Sequence, residues 1–121
     1  DNHVLQVSDG RTLSFFAGGW GRGECEVALP GNWIQHWHHI AGVCTGKKLS
    51  LYIDGIPRGN TILDDTVNLS NFNSWNLGRN QEFPSERIFN GYMKLVKIFE
   101  APLTQKEIDS IIEKEKAFIN E

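Results

Sequence analysis

The sequence predicts an all-β fold in which two antiparallel sheets pack face to face as a jelly-roll sandwich, followed by one C-terminal helix. Two observations support this. Through most of the chain, short apolar runs alternate with turn residues, which is typical of a sandwich or barrel. Only the last stretch changes to a helical period. A chain of 121 residues suits one domain with one core, so we assign residues 1–121 to a single module.

The first half of the chain is predicted to form strands joined by tight turns. The predicted strands are HVLQV, RTLSFFAGG, ECEVAL, WIQHWHHIAGVC and KLSLYIDG. Ser-Asp-Gly at 8–10 and Asp-Gly at 54–55 supply hairpin turns. Residues 40–44 are small or apolar on both faces, which predicts a central strand covered on both sides. Trp37, at the start of that strand, is assigned to the core.

The second half contains weaker strand signals and the helix. Residues 60–78 are polar and are predicted to form a loop with short strands. Residues 87–99, RIFNGYMKLVKIF, are apolar on both faces, which favours a buried strand pair or a bulged strand. Thr104 and Glu107 form a capping box. It begins an amphipathic helix that, with its tail, occupies 104–121 and has Ile108, Ile111, Ile112 and Phe118 on its apolar stripe.

Composition excludes several classes of partner. The net charge is −3 with both signs interspersed, so neither a nucleic acid nor a membrane surface is indicated as a partner. No apolar run reaches the roughly 18 residues of a membrane-spanning helix. Cys25 and Cys44 could form one disulfide or remain two buried thiols, and both alternatives stay open. The chain begins at Asp1 inside a strand-like pattern, which leads us to expect a module of a longer polypeptide.

Three segments in order carry a resemblance to a known family. WHHIAGVCTGKKLSLYIDG, WNLGRN and FNGYMKLVKIFEAPLTQKEI resemble the laminin-G-like branch of the concanavalin A-like lectin/glucanase superfamily, from Trp33 to Ile112. The resemblance implies the sandwich fold. It has two departures: Lys94-Leu95 replaces the family's Asp-Glu, and the family's first strands are missing. An open strand edge is therefore expected, which would pair with a neighbouring chain, allow self-association, or leave the domain only marginally stable.

Catalysis is not predicted, although the superfamily also contains glucan hydrolases. Glycoside hydrolysis needs two carboxylates that flank the scissile bond. Glu24 and Glu26 share a strand face, but no third acid follows at the family's spacing, and a solvated edge strand explains them better. His36 and His38 could supply two zinc ligands at i and i+2, but a third ligand would have to come from elsewhere.

Calcium is the one cofactor that the loops could hold. The segment LDDTVNLSNFN is rich in the hard oxygen ligands that Ca²⁺ requires. Asp64, Asp65 and Asn68 are the predicted ligands. The same composition is typical of an ordinary surface loop, so the sequence requires no cofactor.

A carbohydrate site needs flat aromatic faces for sugar rings and planar groups that hydrogen-bond to hydroxyls. Trp20 with Arg22, at the tip of a glycine-rich loop, is the leading candidate pair. The remaining predicted sugar-binding residues are Trp33, Trp75, Arg79 and Asn80. Each tryptophan has a structural alternative: Trp20 could fold onto its own loop or a neighbouring domain, and Trp33 and Trp75 could be buried.

Residues and resemblance together predict a non-catalytic carbohydrate-binding or accessory module of a secreted or cell-surface protein. The parent that the resemblance implies is an extracellular glycoside hydrolase similar to a β-galactosidase. The predicted partners are a polysaccharide or other glycan and the other domains of the parent chain. The alternative is a protein-interaction or structural bracing domain with no glycan ligand.

Overall fold

Two three-stranded antiparallel sheets and one helix make up the described part of the protein. The computed structural model describes residues 3–17, 23–66, 77–78 and 89–119. The first sheet contains β1 (His3–Ser8), β2 (Thr12–Ala17) and β3 (Cys25–Ala28), in the order β1-β2-β3. The second contains β4 (Ile40–Thr45), β5 (Lys48–Ile53) and β6 (Ile56–Ile62), in the order β4-β5-β6. The helix α1 spans Gln105–Ile119. The predicted all-β sandwich with a C-terminal helix is confirmed.

Local turn chemistry sets the hairpins where the sequence predicts them. Asp9 and Gly10, between β1 and β2, have φ values of 56° and 66°. Asp54 and Gly55, between β5 and β6, have φ values of 55° and 80°. Hairpin turns whose twist matches that of the flanking strands need a positive φ at both central residues. Asp-Gly is a favoured pair for such turns. The register Ile53↔Ile56 follows from that two-residue loop.

The core lies between the facing sides of the two sheets. Its buried members are Leu13, Ala17, Cys25, Val27, Leu49, Leu51, Ile53 and Leu63. The sheets approach closely at Gly42, where an added Cβ would come within 3.0 Å of the Phe15 ring. The two sheets are also joined by a hydrogen bond that the Thr61 hydroxyl on β6 donates to the carbonyl oxygen of Glu24 at 3.0 Å. Both cysteines are free thiols, and burial raises the pKa of each.

The expectation that β4 is central was wrong for the described strands, because β5 lies between β4 and β6. The two-sided apolar pattern has another cause. On its inner side β4 offers Gly42 to the Phe15 ring, and on its outer side Val43 is buried. A strand can be covered above and below without having a hydrogen-bonded neighbour on each side.

The predicted buried strand around Asn90-Gly91 was also wrong. Residues 89–100 lie within the described part and contain neither strand nor helix, and their side chains are exposed. Leu95 has a φ of 58°, which departs from extended strand geometry. Apolar alternation favours a strand only when a partner strand accepts its backbone hydrogen bonds, and no described strand does so here.

The helix begins where the capping box predicts. Thr104 Oγ1 accepts a hydrogen bond from the Glu107 N–H at 3.2 Å, and Glu107 Oε1 accepts one from the Thr104 N–H at 3.0 Å. Of the predicted stripe, Ile108 is fully buried but Phe118 is about half exposed. Glu115, a carboxylate, is buried instead. No helix in the described ranges has the length and apolar character to cross a membrane.

Candidate ligand surface at the Trp33 loop

The loop that joins β3 to β4, residues 29–39, is held against the turn between β5 and β6. We call it the Trp33 loop. The Asp54 N–H donates to the His39 carbonyl at 2.7 Å, and Asp54 Oδ1 accepts from the His39 N–H at 2.9 Å. Within the loop, the Trp33 N–H donates to the Pro30 carbonyl at 3.1 Å. The turn residue Asp54 therefore fixes the end of the loop through both its main chain and its side chain.

His38 connects the loop to the same carboxylate. Its Nδ1 lies 2.7 Å from Asp54 Oδ2, and its Nε2 lies 3.0 Å from the Asn32 carbonyl oxygen. A carbonyl oxygen and a carboxylate oxygen can only accept, so both ring nitrogens must carry hydrogen. This geometry therefore favours the imidazolium form of His38, whose side chain is only 5% exposed.

The pKa of His38 is raised above its ordinary value of 6.5. Burial acts to lower it, but the hydrogen bond to Asp54, the hydrogen bond to the Asn32 carbonyl and the charge of Asp54 outweigh burial. The direction agrees with the hydrogen-bond geometry. The His38 ring thus joins two parts of the loop to each other and to the turn.

Trp33 lies flat on this charged ring. The centroids of the Trp33 indole and the His38 imidazole are 5.1 Å apart, and the planes are inclined by 18°. A cation stacked on an indole face is attracted by the ring quadrupole. Trp33, one of the predicted sugar-binding residues, is partly buried. Part of its side chain contacts its neighbours, and part remains open to solvent.

Trp37 and Ile34, in the same loop, face solvent. Trp37 is 46% exposed, so its assignment to the core was wrong. It lies in the loop that precedes β4, where no strand pairing turns its side chain inward. Ile34 and His36 are exposed as well, and His36 and His38 do not share a strand face as the zinc hypothesis required. Within the described residues, no three His, Cys, Asp or Glu side chains converge as a metal site would need.

A second histidine connects the loop to the helix. His39 Nε2 lies 3.8 Å from Glu115 Oε2, and Lys97 Nζ lies 2.9 Å from Glu115 Oε1. The pKa of His39 is lowered, chiefly by burial, although the charges of Glu115 and Asp54 act in the opposite direction. Adjacent histidines thus have pKa values shifted in opposite directions because only His38 donates both ring N–H groups to strong acceptors.

Of the two acids considered for catalysis, Glu26 lies on the exposed side of β3 and Glu24 directly precedes that strand. Glu24 Oε2 accepts a hydrogen bond from the Ser14 hydroxyl at 2.5 Å. The pKa of Glu26 is raised, first by a hydrogen bond to Glu24 and then by the charge of Glu24. The two carboxyl groups therefore interact with each other instead of standing apart on either side of a substrate bond.

Several predicted site residues lie outside the described residues. These are Trp20, Arg22, Trp75, Arg79, Asn80 and Asn68. Of the predicted calcium ligands, Asp64 and Asp65 are described, and both are exposed just after β6. The sugar-binding set and the calcium set stay predictions. Sequence reasoning missed His38 and Asp54 as a pair, because it treated Asp54 only as a turn residue.

We expect stability to fall as the pH rises above about 6.5 and passes through the raised pKa of His38, because His38 then loses its proton. A raised folded-state pKa contributes stability fully below the unfolded value of about 6.5 and loses it as the pH passes through the folded value. The lowered pKa of His39 acts only below about 6.5, so the two effects occupy different pH windows. Urea unfolding between about pH 6 and pH 9 measures this slope.

The His38→Gln variant should show a weaker dependence of stability on pH. The control variant, His36→Gln in the same loop, should keep the original dependence, because His36 is exposed and forms no comparable pair with Asp54. A slope that persists in His38→Gln would contradict the assignment.

Comparisons with known proteins agree with this architecture. A laminin-G family model, described as the concanavalin A-like lectin/glucanases superfamily, matches residues 2–109. Among curated proteins, no significant match was found. The chain is similar in fold to a solved S-layer domain-containing protein (residues 221–444) from Clostridium thermocellum, with a TM-score of 0.55 and 19% identity. That match covers 84% of this chain and 51% of the other, so this chain spans about half the length of its structural neighbour. The two stacked sheets and the match over residues 2–109 identify the chain as a member of the concanavalin A-like lectin/glucanase superfamily.

Proposed function

We propose that this domain is a non-catalytic carbohydrate-binding or accessory module of a larger secreted or cell-surface protein, and that the Trp33 loop contributes to its glycan contact. The observation that carries the proposal is the Trp33 ring, which is stacked on the buried His38 ring and still partly open to solvent. Membership of a superfamily named for lectins and glucanases supports the ligand class.

The loop has the features that favour weak, specific sugar binding. An indole offers a flat apolar face to the apolar face of a sugar ring, and exposed Asn32 next to it offers a planar hydrogen-bonding group. Because His38 and Asp54 already hold Trp33 in place, binding does not have to pay the full entropy of ordering the ring. One such contact binds a glycan weakly. Several binding modules on the same protein would together give a higher overall affinity.

The non-catalytic part of the proposal rests on the described acids. Glu24 is bonded to Ser14 and Glu26 interacts with Glu24, so the two carboxyl groups are engaged locally and do not flank a substrate bond. Surface location is proposed from the family and from the S-layer domain-containing neighbour together. The β-galactosidase-like parent stays a prediction that neither comparison supports.

Replacing Trp33 with alanine should weaken retention on a glycan ligand at least about tenfold, because the stacking face is lost. A glycan array followed by affinity gels, run with calcium and with a chelator, identifies the ligand and measures the loss. Ile34→Ala is the matched control, since Ile34 is exposed in the same loop and has no ring. Trp20→Ala tests the other predicted contact.

If the Trp33→Ala variant is retained on the glycan as strongly as the unsubstituted domain, the Trp33 loop is not part of the binding site. Retention that disappears with the chelator would support the predicted ligands Asp64, Asp65 and Asn68. Failure of the unsubstituted domain to bind any glycan would contradict the proposed function itself.

A protein-interaction or bracing role is the second candidate, and one observation favours it. Residues 89–99 expose a run of apolar side chains that no described strand covers. The exposed members are Phe89, Tyr92, Met93, Leu95, Val96, Ile98 and Phe99. Exposed apolar surface of this kind often contacts another protein. Binding to a neighbouring domain of the parent, or concentration-dependent self-association in sedimentation, without glycan retention would favour this candidate.

A further inference from the structure

The peptide group between Asn32 and Trp33 is held at both of its ends. Its carbonyl oxygen, which belongs to Asn32, lies 3.0 Å from His38 Nε2. Its N–H, which belongs to Trp33, donates to the Pro30 carbonyl at 3.1 Å. A peptide group is planar, so its carbonyl and its N–H turn together. A change at the His38 contact therefore acts directly on the backbone that carries the Trp33 side chain.

His38 contacts Trp33 through its ring as well. The centroids of the imidazole and the indole are 5.1 Å apart, and the two planes are inclined by 18°. The His38 side chain is only 5% exposed, so little water reaches the ring. One titratable ring thus supports both the Trp33 side chain and the peptide group that precedes it.

The number of protons on the His38 ring decides whether both of its hydrogen bonds can form. Asp54 Oδ2 lies 2.7 Å from Nδ1, and this oxygen and the Asn32 carbonyl oxygen can only accept. A neutral ring has one N–H, which stays on Nδ1 because the carboxylate is the stronger acceptor. The Nε2 lone pair then faces the Asn32 carbonyl oxygen, and two acceptors at that distance repel each other. The neutral ring also loses its cation–π attraction to the Trp33 indole.

We propose that His38 is a positioning residue for the glycan contact, so that the Trp33 loop binds a glycan more tightly when His38 is protonated and more weakly as the pH rises. This regulation rests on the proposed function, because it presupposes that the Trp33 ring contacts a glycan. With His38 protonated, the indole is ordered before the glycan arrives. With His38 neutral, the free energy of ordering the indole is taken from the binding free energy.

The neighbouring charges set the direction and the pH range of this effect. The Asp54 carboxylate, in the turn between β5 and β6, helps to raise the pKa of His38 above its ordinary value of 6.5. The pKa of His39, the next residue, is lowered, so His39 is already mostly neutral where His38 loses its proton. The ion pair of Lys97 with Glu115 lies beside His39. A change in affinity above about pH 6.5 is therefore assigned to His38.

Glycan retention at about pH 6 and about pH 9 tests the regulation. The probes are a glycan array and affinity gels that contain hydroxyethyl cellulose or mixed-linkage β-glucan, since the superfamily is named for lectins and glucanases. The unsubstituted domain should bind at least about threefold more weakly at the higher pH. The midpoint of that loss should coincide with the titration midpoint of the His38 ring protons, measured by NMR. Circular dichroism checks that the domain is folded at both pH values.

The His38→Gln variant should bind weakly at both pH values, because its side chain carries no charge and does not titrate in this range. His36→Gln is the matched control, since His36 is exposed in the same loop, and it should keep the profile of the unsubstituted domain. If His38→Gln does not fold, the two midpoints in the unsubstituted domain decide the question.

Equal binding of the unsubstituted domain at the two pH values would overturn the regulation and leave the proposed function in place. A pH dependence that persists in folded His38→Gln, or midpoints that differ by more than about one pH unit, would overturn it in the same way. Absence of glycan binding at both pH values would instead contradict the proposed function, which this regulation presupposes.

Discussion

Truncation of Leu51 to alanine should lower the free energy of unfolding by about 3 kcal/mol. Leu51 is fully buried at the centre of β5, the middle strand of its sheet, and belongs to the main core cluster. Removal of its side-chain carbons loses their burial and leaves a cavity between two sheets whose strands are held in place by backbone hydrogen bonds, so the cavity closes only in part. Urea unfolding with a shared m-value measures the loss.

The matched control for that substitution is Ile62→Ala on the adjacent strand. Ile62 is 66% exposed, so its truncation should cost less than about 0.5 kcal/mol. Equal losses for the two variants would show that the face of β5 that carries Leu51 is not the inner face of the sandwich.

Replacement of Asp54 by alanine should cost about 2–3 kcal/mol, the second large effect that we expect. The substitution removes the acceptor of the His38 ring and the acceptor of the His39 N–H together. It also leaves the buried His38 ring without its counter-ion, so the pKa of His38 should fall, since burial alone lowers it. Urea unfolding gives the energy, and an NMR titration of the histidine ring protons gives the pKa.

One further variant, Asp54→Asn, separates charge from hydrogen bonding at this position, and Asp109→Ala is a control at another exposed carboxylate. Asp54→Asn keeps an oxygen that can accept from the His39 N–H but has no charge to stabilise an imidazolium, so the pKa of His38 should fall while part of the stability remains. Asp109→Ala removes an exposed carboxylate that bonds Gln105, and should cost less than about 0.5 kcal/mol. An unchanged His38 pKa in Asp54→Ala would refute the ion pair.

The parts of the fold that the sequence predicted correctly are specified by neighbours in the chain. The Asp-Gly pairs at 9–10 and 54–55 form hairpin turns because those residues tolerate positive φ at low cost. The capping box of Thr104 and Glu107 forms because its two hydrogen bonds need only one turn of helix. Alternation in β5 placed Leu51 in the core for the same local reason.

The failures all involve contacts between distant residues. Trp37 was assigned to the core from its position at the start of a predicted strand, yet the loop leaves it exposed. Residues 87–99 have the pattern of a buried strand, but no described strand pairs with 89–99. Glu115 has the sequence context of a solvated helix position, and its burial follows from Lys97 and His39, which are 18 and 76 residues away in the chain.

The sequence by itself determined the two-layered sandwich, its turns and the start of the helix, because strand period, turn φ and capping depend on residues a few positions apart. Only the tertiary structure decided that Asp54 binds His38, that His38 supports Trp33 and that Glu115 lies between Lys97 and His39. Such pairings depend on how separate loops and a helix are brought together in space, and the energy of a buried charge depends on that arrangement more than on its own residue type.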